Sequence, residues 1–205
     1  MLKFFLIAAA LSAVPRATVA QGYDYFVMAL TWTPSFCETA DPDRNREQCD
    51  PSRDLGFVLH GLWPQYEDGW PEYCETSERD PSRSETGAMA DIMGSGGLAW
   101  YQWKKHGRCS RVSAENYFKA SRYAYNSISK PSGLSPEMTT DELERAFIQA
   151  NDDLNHDSMV VTCRGDLIRE VRICLDLKLR PRDCSQDVLR SACSYRGDLE
   201  LPPIP

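Results

Sequence analysis

Apolar positions fall into a few dense runs separated by polar segments rich in proline and glycine. Tyr23 to Thr33 (YDYFVMALTWT) is packed with aromatic and aliphatic side chains and predicts a buried strand. Leu55 to Leu62 is a second such run, closed by Trp63-Pro64. Between them, Phe36 to Arg53 is polar, holds Cys37 and Cys49, and reads as a stapled loop. Gln65 to Glu85 reads as a long loop. Two short helices follow, Gly87 to Met93 and Leu98 to His106, divided by Gly94-Ser95-Gly96-Gly97. Gly107 suits the C-cap of the second.

Ala114, Tyr117, Phe118, Ser121, Tyr125 and Ile128 recur at helical spacing behind Ser113, a candidate N-cap. Pro131 to Pro136 is a loop, and Thr140 to Ala150 a helix with Leu143, Ala146 and Phe147 on one face. Met159 to Thr162 is a short strand. From Val171 to Leu179, apolar residues alternate with Glu170, Arg172, Asp176, Lys178 and Arg180, the pattern of a half-buried strand. Leu201 to Pro205 is a Pro-rich tail. Strands and helices mix without regular βαβ alternation, which makes the fold class α+β.

The first twenty residues stand apart. Lys3, an apolar stretch from Phe4 to Val14 and the small residues at Thr18-Val19-Ala20 form the pattern of a secretory signal. The apolar stretch is far shorter than the roughly 20 residues a membrane-spanning helix needs. The expected mature chain is one domain from residue 21 to 205, exported to the periplasm or the medium. Eight cysteines fit such an oxidising compartment, and with no CxxC pair a disulfide framework is favoured over a zinc site. Their connectivity is open at this level, because eight cysteines allow about 105 pairings.

Hydrophobic residues make up 42% of the chain, enough to build a core, so a wholly disordered chain is excluded. The net charge is −7, and −9 once Lys3 and Arg16 leave with the signal. Such a charge argues against a general nucleic-acid clamp but not against an enzyme that grips two or three phosphates locally.

Only three histidines are available for proton transfer. His60 lies in FVLHGLWP, where Gly61 allows close backbone approach and Trp63 offers a flat face to a base or sugar. Taken alone, a histidine beside a strand is more often structural. His106 ends the segment YQWKKHG, and on a helix Gln102, Lys105 and His106 share one face. Alone, that end could simply favour the helix dipole. His156 lies in a polar loop and reads as a surface residue.

Together, FVLHGLWP and, some forty residues on, WxKHGxC resemble the two active-site segments of the ribonuclease T2 family, in order. The opening strand with Leu30-Thr31-Trp32-Thr33-Pro34 and Cys37 extends the resemblance across the mature chain. It implies a central antiparallel sheet packed by helices, with disulfides Cys37–Cys49, Cys74–Cys109, Cys163–Cys193 and Cys174–Cys184. It also implies cleavage of RNA to a 2′,3′-cyclic phosphate, with His106 as general base, His60 as general acid and Lys105 stabilising charge on phosphorus. Trp63 would pack against a base or ribose, and Gln65 and Thr31 would help to hold bases.

No metal or other cofactor is needed for this chemistry, and DNA, lacking the 2′-hydroxyl, should be inert. The substrate is the one partner expected, and nothing calls for more than a monomer. A less negative surface at low pH favours a mildly acidic optimum. One position departs from the family: Gln102 stands where members usually carry Glu, and Tyr101 where many carry His. The Gln102 exchange predicts reduced activity or a shifted optimum, or alternatively a weakened T2-like binding or signalling protein. A metal-dependent hydrolase is disfavoured, because His60 and His106 lack ligand spacing.

Overall fold

The computed structural model describes residues 22–204. Its centre is a sheet in which β1 (Tyr25–Trp32) lies between β2 (Phe57–Gln65) and β5 (Leu167–Leu175), antiparallel to both. On the far side of β5 lies β4 (Met159–Arg164), also antiparallel. Two short strands, β3 (Glu137–Met138) and β6 (Leu199–Glu200), pair with each other, and Glu200 meets Leu167 of β5 in parallel. The class is α+β as expected, but the sheet is mixed rather than purely antiparallel. The C-terminal segment comes back beside the start of β5 running in the same direction.

Alternation along β1 divides the sheet. Met28, Leu30 and Trp32 point into the main core with Leu59, Leu62, Val171 and Ile173. That core is closed by four helices: α3 (Ala90–Met93), α4 (Gly96–Lys105), α5 (Ala114–Ser127) and α6 (Thr140–Ala150), through Met93, Trp103, Tyr117, Phe118, Leu143 and Phe147. The opposite face of β1 carries Val27, Ala29 and Thr31. By register, this face continues into Gly61, Trp63 and Gln65 of β2 and into Glu170, Arg172 and Cys174 of β5.

The register of β2 against β1 slips once. Gly61 pairs with Ala29 and Leu59 with Leu30, so His60 is the extra residue of a β-bulge. Residues three apart on a regular strand face opposite ways. The bulge cancels that parity and lets His60, Gly61 and Trp63 share one face.

Several boundaries differ from the sequence reading, each for a local reason. The polar stretch after β1 opens with helix α1 (Thr33–Thr39), because Pro34 falls in its first turn, where a missing N–H costs nothing. β2 continues through Trp63-Pro64 to Gln65; it is an edge strand, which tolerates proline. The helix expected over Gly87 to Met93 is two pieces, α2 (Arg83–Gly87) and α3. α2 starts early because Ser82 and Glu85 form a capping box. Ser95 caps α4, taking Leu98 N–H on its hydroxyl at 3.0 Å, so α4 starts within the glycine run.

The largest correction concerns β5, which ends at Leu175. Asp176 and Arg180 close a turn there, Leu179 has φ +61°, and Leu177 is 37% exposed. The strand is also not half-buried, because the segment from Pro181 to Cys193 covers its second face. By contrast, α5 with its Ser113 cap, and α6 over Thr140–Ala150, fall where the spacing places them.

Four disulfides join Cys37 to Cys49, Cys74 to Cys109, Cys163 to Cys193 and Cys174 to Cys184, the same four pairs the resemblance implies. The last two fasten the C-terminal segment, including α7 (Gln186–Leu189), over the second face of β4 and β5. Residues 1–20, the expected signal, lie outside the described residues. Among the described residues, no helix is long and apolar enough to cross a membrane. Replacing Cys163 and Cys193 together by alanine should lower stability by about 2–4 kcal/mol in urea unfolding, since their bond closes a loop with a sequence separation of 30.

Candidate active site

The bulged face of the sheet, the end of α4 and the segment around α7 enclose a cavity of about 570 Å³. His60, Trp63, Gln65, Gln102, Lys105 and His106 all line it. Thr31 does not. It lines an adjoining cavity of about 720 Å³ beside α1, and the two cavities share His60, Arg169 and Glu170.

α4 is fixed from behind by Trp103, which is fully buried and donates its indole N–H to Asp80 at 2.9 Å. Gly107 lets the chain leave α4 closely, since a Cβ there would lie 2.5 Å from Trp103 and 2.9 Å from Tyr117. With this face turned inward, Tyr117 and Cys74–Cys109 hold the helix end, and His106 N–H donates to Gln102 O at 2.9 Å. Gln102, Lys105 and His106 thus reach the cavity together, as helical spacing predicts.

Trp63 is the centre of the constellation. Its indole N–H donates to Gln102 Oε1 at 2.8 Å. Its ring stacks on His106, with centroids 5.2 Å apart and planes at 27°, and meets His60 edge-on at 5.3 Å. The Arg172 guanidinium lies 5.3 Å from the same ring, within cation–π range. A Cβ on Gly61 would sit 2.2 Å from Gln102 Oε1 and 2.3 Å from Trp63 Nε1, so glycine is what leaves room for this hydrogen bond.

The two imidazoles have unlike surroundings. His60 is partly exposed, and its Nδ1 lies 2.5 Å from Oε1 of Glu170, a carboxylate only 1% exposed. Arg172 donates to the other oxygen of Glu170 from Nε at 3.0 Å and Nη2 at 2.9 Å. Burial pushes the Glu170 carboxyl upward, but His60 and Arg172 outweigh it and hold the group well below the usual carboxylate range. His106 is buried, and its Nδ1 has no hydrogen-bond partner. Burial first, then Lys105 and His60, depress its pKa to about 3.

Lys105 Nζ lies 3.4 Å from Glu72 Oε2 in the loop over α4. That loop also brings exposed Trp70 to the cavity and places Tyr73 OH 3.2 Å from Tyr101 OH.

Sequence reading missed Glu170 and Arg172, assigning both to a solvated strand face. A signal was present. They alternate onto the same face as Cys174, and a disulfide-bonded cysteine marks that face as covered. His156 is exposed, as expected, and lies 3.1 Å from Glu144. Asp141, Glu144 and His156 form a cluster that could approach a metal, but none of them lines either cavity.

Fold and cleft together define a class, an α+β scaffold carrying two histidines and a lysine on one cavity wall. The Ribonuclease T2 family profile matches residues 23–184, and the chain belongs to this family. A ribonuclease of Aeromonas hydrophila is 42% identical over 106 residues, covering 52% of this chain and 46% of that protein. A probable ribonuclease of Haemophilus influenzae is 28% identical over 173 residues, covering 78% and 61%. The chain thus spans about half the length of these curated relatives. Among solved structures, an RNase-related protein from Calystegia sepium superposes with a TM-score of 0.69 at 24% identity, covering 89% of this chain and 98% of that one. RNase NT in complex with 5′-AMP gives 0.60 at 24%, covering 88% and 98%. These two likenesses show the fold.

Two outcomes follow from this geometry. Gly61→Ala should break the Trp63–Gln102 hydrogen bond, shift the Trp63 indole N–H resonance and cost about 1–3 kcal/mol in urea unfolding. His106 regains its ordinary pKa of 6.5 on unfolding, so the native state binds fewer protons between that value and about 3. Its contribution to stability is therefore present above pH 6.5 and is lost as pH falls toward 3. His106→Asn should remove this component, seen as a smaller drop in urea midpoint between pH 7 and pH 4 than in the parent.

Proposed function

We propose that this protein is an exported, metal-independent endoribonuclease that cleaves single-stranded RNA by transphosphorylation. The observation that carries the reading is the pair of histidines on one cavity wall in opposed environments. A desolvated imidazole beside a lysine stays neutral at acid pH and can accept a proton. An imidazole held by a buried carboxylate can carry one. A desolvated imidazole and a carboxylate-bound one supply the base and the acid of one reaction.

In the reaction, His106 takes the proton from the ribose 2′-hydroxyl, and the oxygen attacks phosphorus. His60 gives a proton to the departing 5′-oxygen, leaving a 2′,3′-cyclic phosphate. Lys105, released from Glu72 by the incoming phosphate, balances the charge that builds on the phosphoryl oxygens. DNA lacks the attacking hydroxyl and is not cleaved.

The two cavities support an internal linkage as the target. A phosphodiester lying against His60 has one nucleoside on each side. Trp63, Gln65 and Trp70 line one compartment and Thr31 the other. Trp63 and Trp70 supply aromatic surface for a base or ribose. Gln102 keeps the hydrogen bond to Trp63 that a carboxylate oxygen would also accept, so its structural part survives the loss of charge. Four disulfides fit an oxidising compartment, periplasmic or extracellular. The chain acts as a monomer, since one copy supplies every group used.

The test is cleavage of a dinucleoside monophosphate between pH 4 and pH 8 in chelator. Cyclic product should appear with a maximum below neutrality. His60→Ala and His106→Ala should each lower kcat by about 100-fold or more. Gln102→Glu should alter the rate or the pH profile. No product at any pH from folded protein would overturn the enzymatic reading in favour of a binding or signalling role on the same scaffold.

A further inference from the structure

We infer that Glu170 is the positioning carboxylate of His60, supplying from strand β5 the negative charge that α4 lacks at Gln102. The inference rests on the ribonuclease reading for its catalytic meaning, but its geometry is independent of it. Glu170 reaches His60 across β1, which lies between their two strands. Ala29, between them on β1, has a small side chain, and the bulge places His60 on the face that Glu170 shares.

An ionised carboxylate has no proton to give, so the short contact requires hydrogen on His60 Nδ1. That fixes the ring and leaves Nε2 as the working nitrogen. Arg172 occupies the second oxygen of Glu170 and is itself held by the Ser191 hydroxyl at 3.2 Å and by the Trp63 face. A carboxylate so buried would be costly without both partners. With them it stays charged through the cycle. When His60 Nε2–H protonates the leaving 5′-oxygen, the Nδ1–H remains on the ring, and Glu170 takes no proton.

Apart from Glu170 and Asp187, the charged side chains lining the two cavities around His60 are cations. Lys105 and His106 approach from α4, and Arg169 and Arg172 from β5. Arg190 and Asp187 come from the C-terminal segment, and Arg44 and Arg164 line the adjoining cavity. Glu170 is the carboxylate in direct contact. Its contact holds the Nδ1 side of the ring and turns Nε2 toward the cleft, the geometry a general acid needs.

Nitrogen-15 NMR of the histidine rings in the wild-type protein reads the first half of the proposal without any activity. His60 should deprotonate to the Nδ1–H tautomer; an Nε2–H tautomer would overturn the assignment. Glu170→Gln keeps the shape and removes the charge. With the dinucleoside monophosphate it should lower kcat on the order of 100-fold with little change in KM. A kcat within twofold of wild type would overturn the proposal. If Glu170→Gln does not fold, the wild-type tautomer decides. If the tautomer is as expected but the wild type cleaves nothing, the positioning role stands and the ribonuclease reading alone falls.

Discussion

Everything at the site depends on one extra residue in β2. A strand has a period of two, and the spacing from His60 to Trp63 violates it. The bulge opposite Ala29 and Leu30 absorbs the violation, so Leu59 and Leu62 still pack into the core while His60, Gly61 and Trp63 share the other face. From there the remaining contacts follow. Gly61 leaves space for Trp63 to reach Gln102, Trp63 stacks on His106, and His60 meets Glu170 beyond Ala29. Without the bulge, either the core or the site would lose its side chains to the opposite face.

The second organising feature is electrostatic. Two imidazoles, both about 5 Å from one indole, differ because one has a buried carboxylate behind it and the other has only apolar packing and a lysine. Burial and the neighbouring lysine depress the pKa of His106, while the carboxylate orients the ring of His60. Arg172 links the two halves, neutralising Glu170 on one side and resting over Trp63 on the other.

Much of this was legible in the sequence, because it is local. α6 and α5 follow from helical spacing and a capping residue. The grouping of Gln102, Lys105 and His106 follows from i, i+3 and i+4 geometry. Family resemblance named His60, Trp63, Gln65 and Thr31 as site residues, and all but Thr31 line one cavity with the α4 group. What was not legible depends on partners distant along the chain. Alternation correctly assigned Val171 and Ile173 to one face and Glu170 and Arg172 to the other, but it could not tell that the second face is covered. The bulge leaves no mark in composition, since it is a mismatch between two strands. Helix α1 and the end of β5 at Leu175 were missed because a helix can open on proline and a turn can carry an alternating pattern.

The covering segment from Pro181 to Cys193 forms one wall of the cleft, through Asp187, Arg190 and Ser191, yet it buries few large side chains of its own. It is fastened by Cys174–Cys184 and Cys163–Cys193. Cys174 and Cys184 lie in the smaller apolar cluster on this face, whereas Cys163 and Cys193 also pack against the edge of the main core. Where thiols are kept reduced, this wall would lose both of its covalent ties to the sheet. The shape of the cleft is thereby tied to the redox state of its surroundings: with the wall untied, the two histidines would face an unfinished cavity.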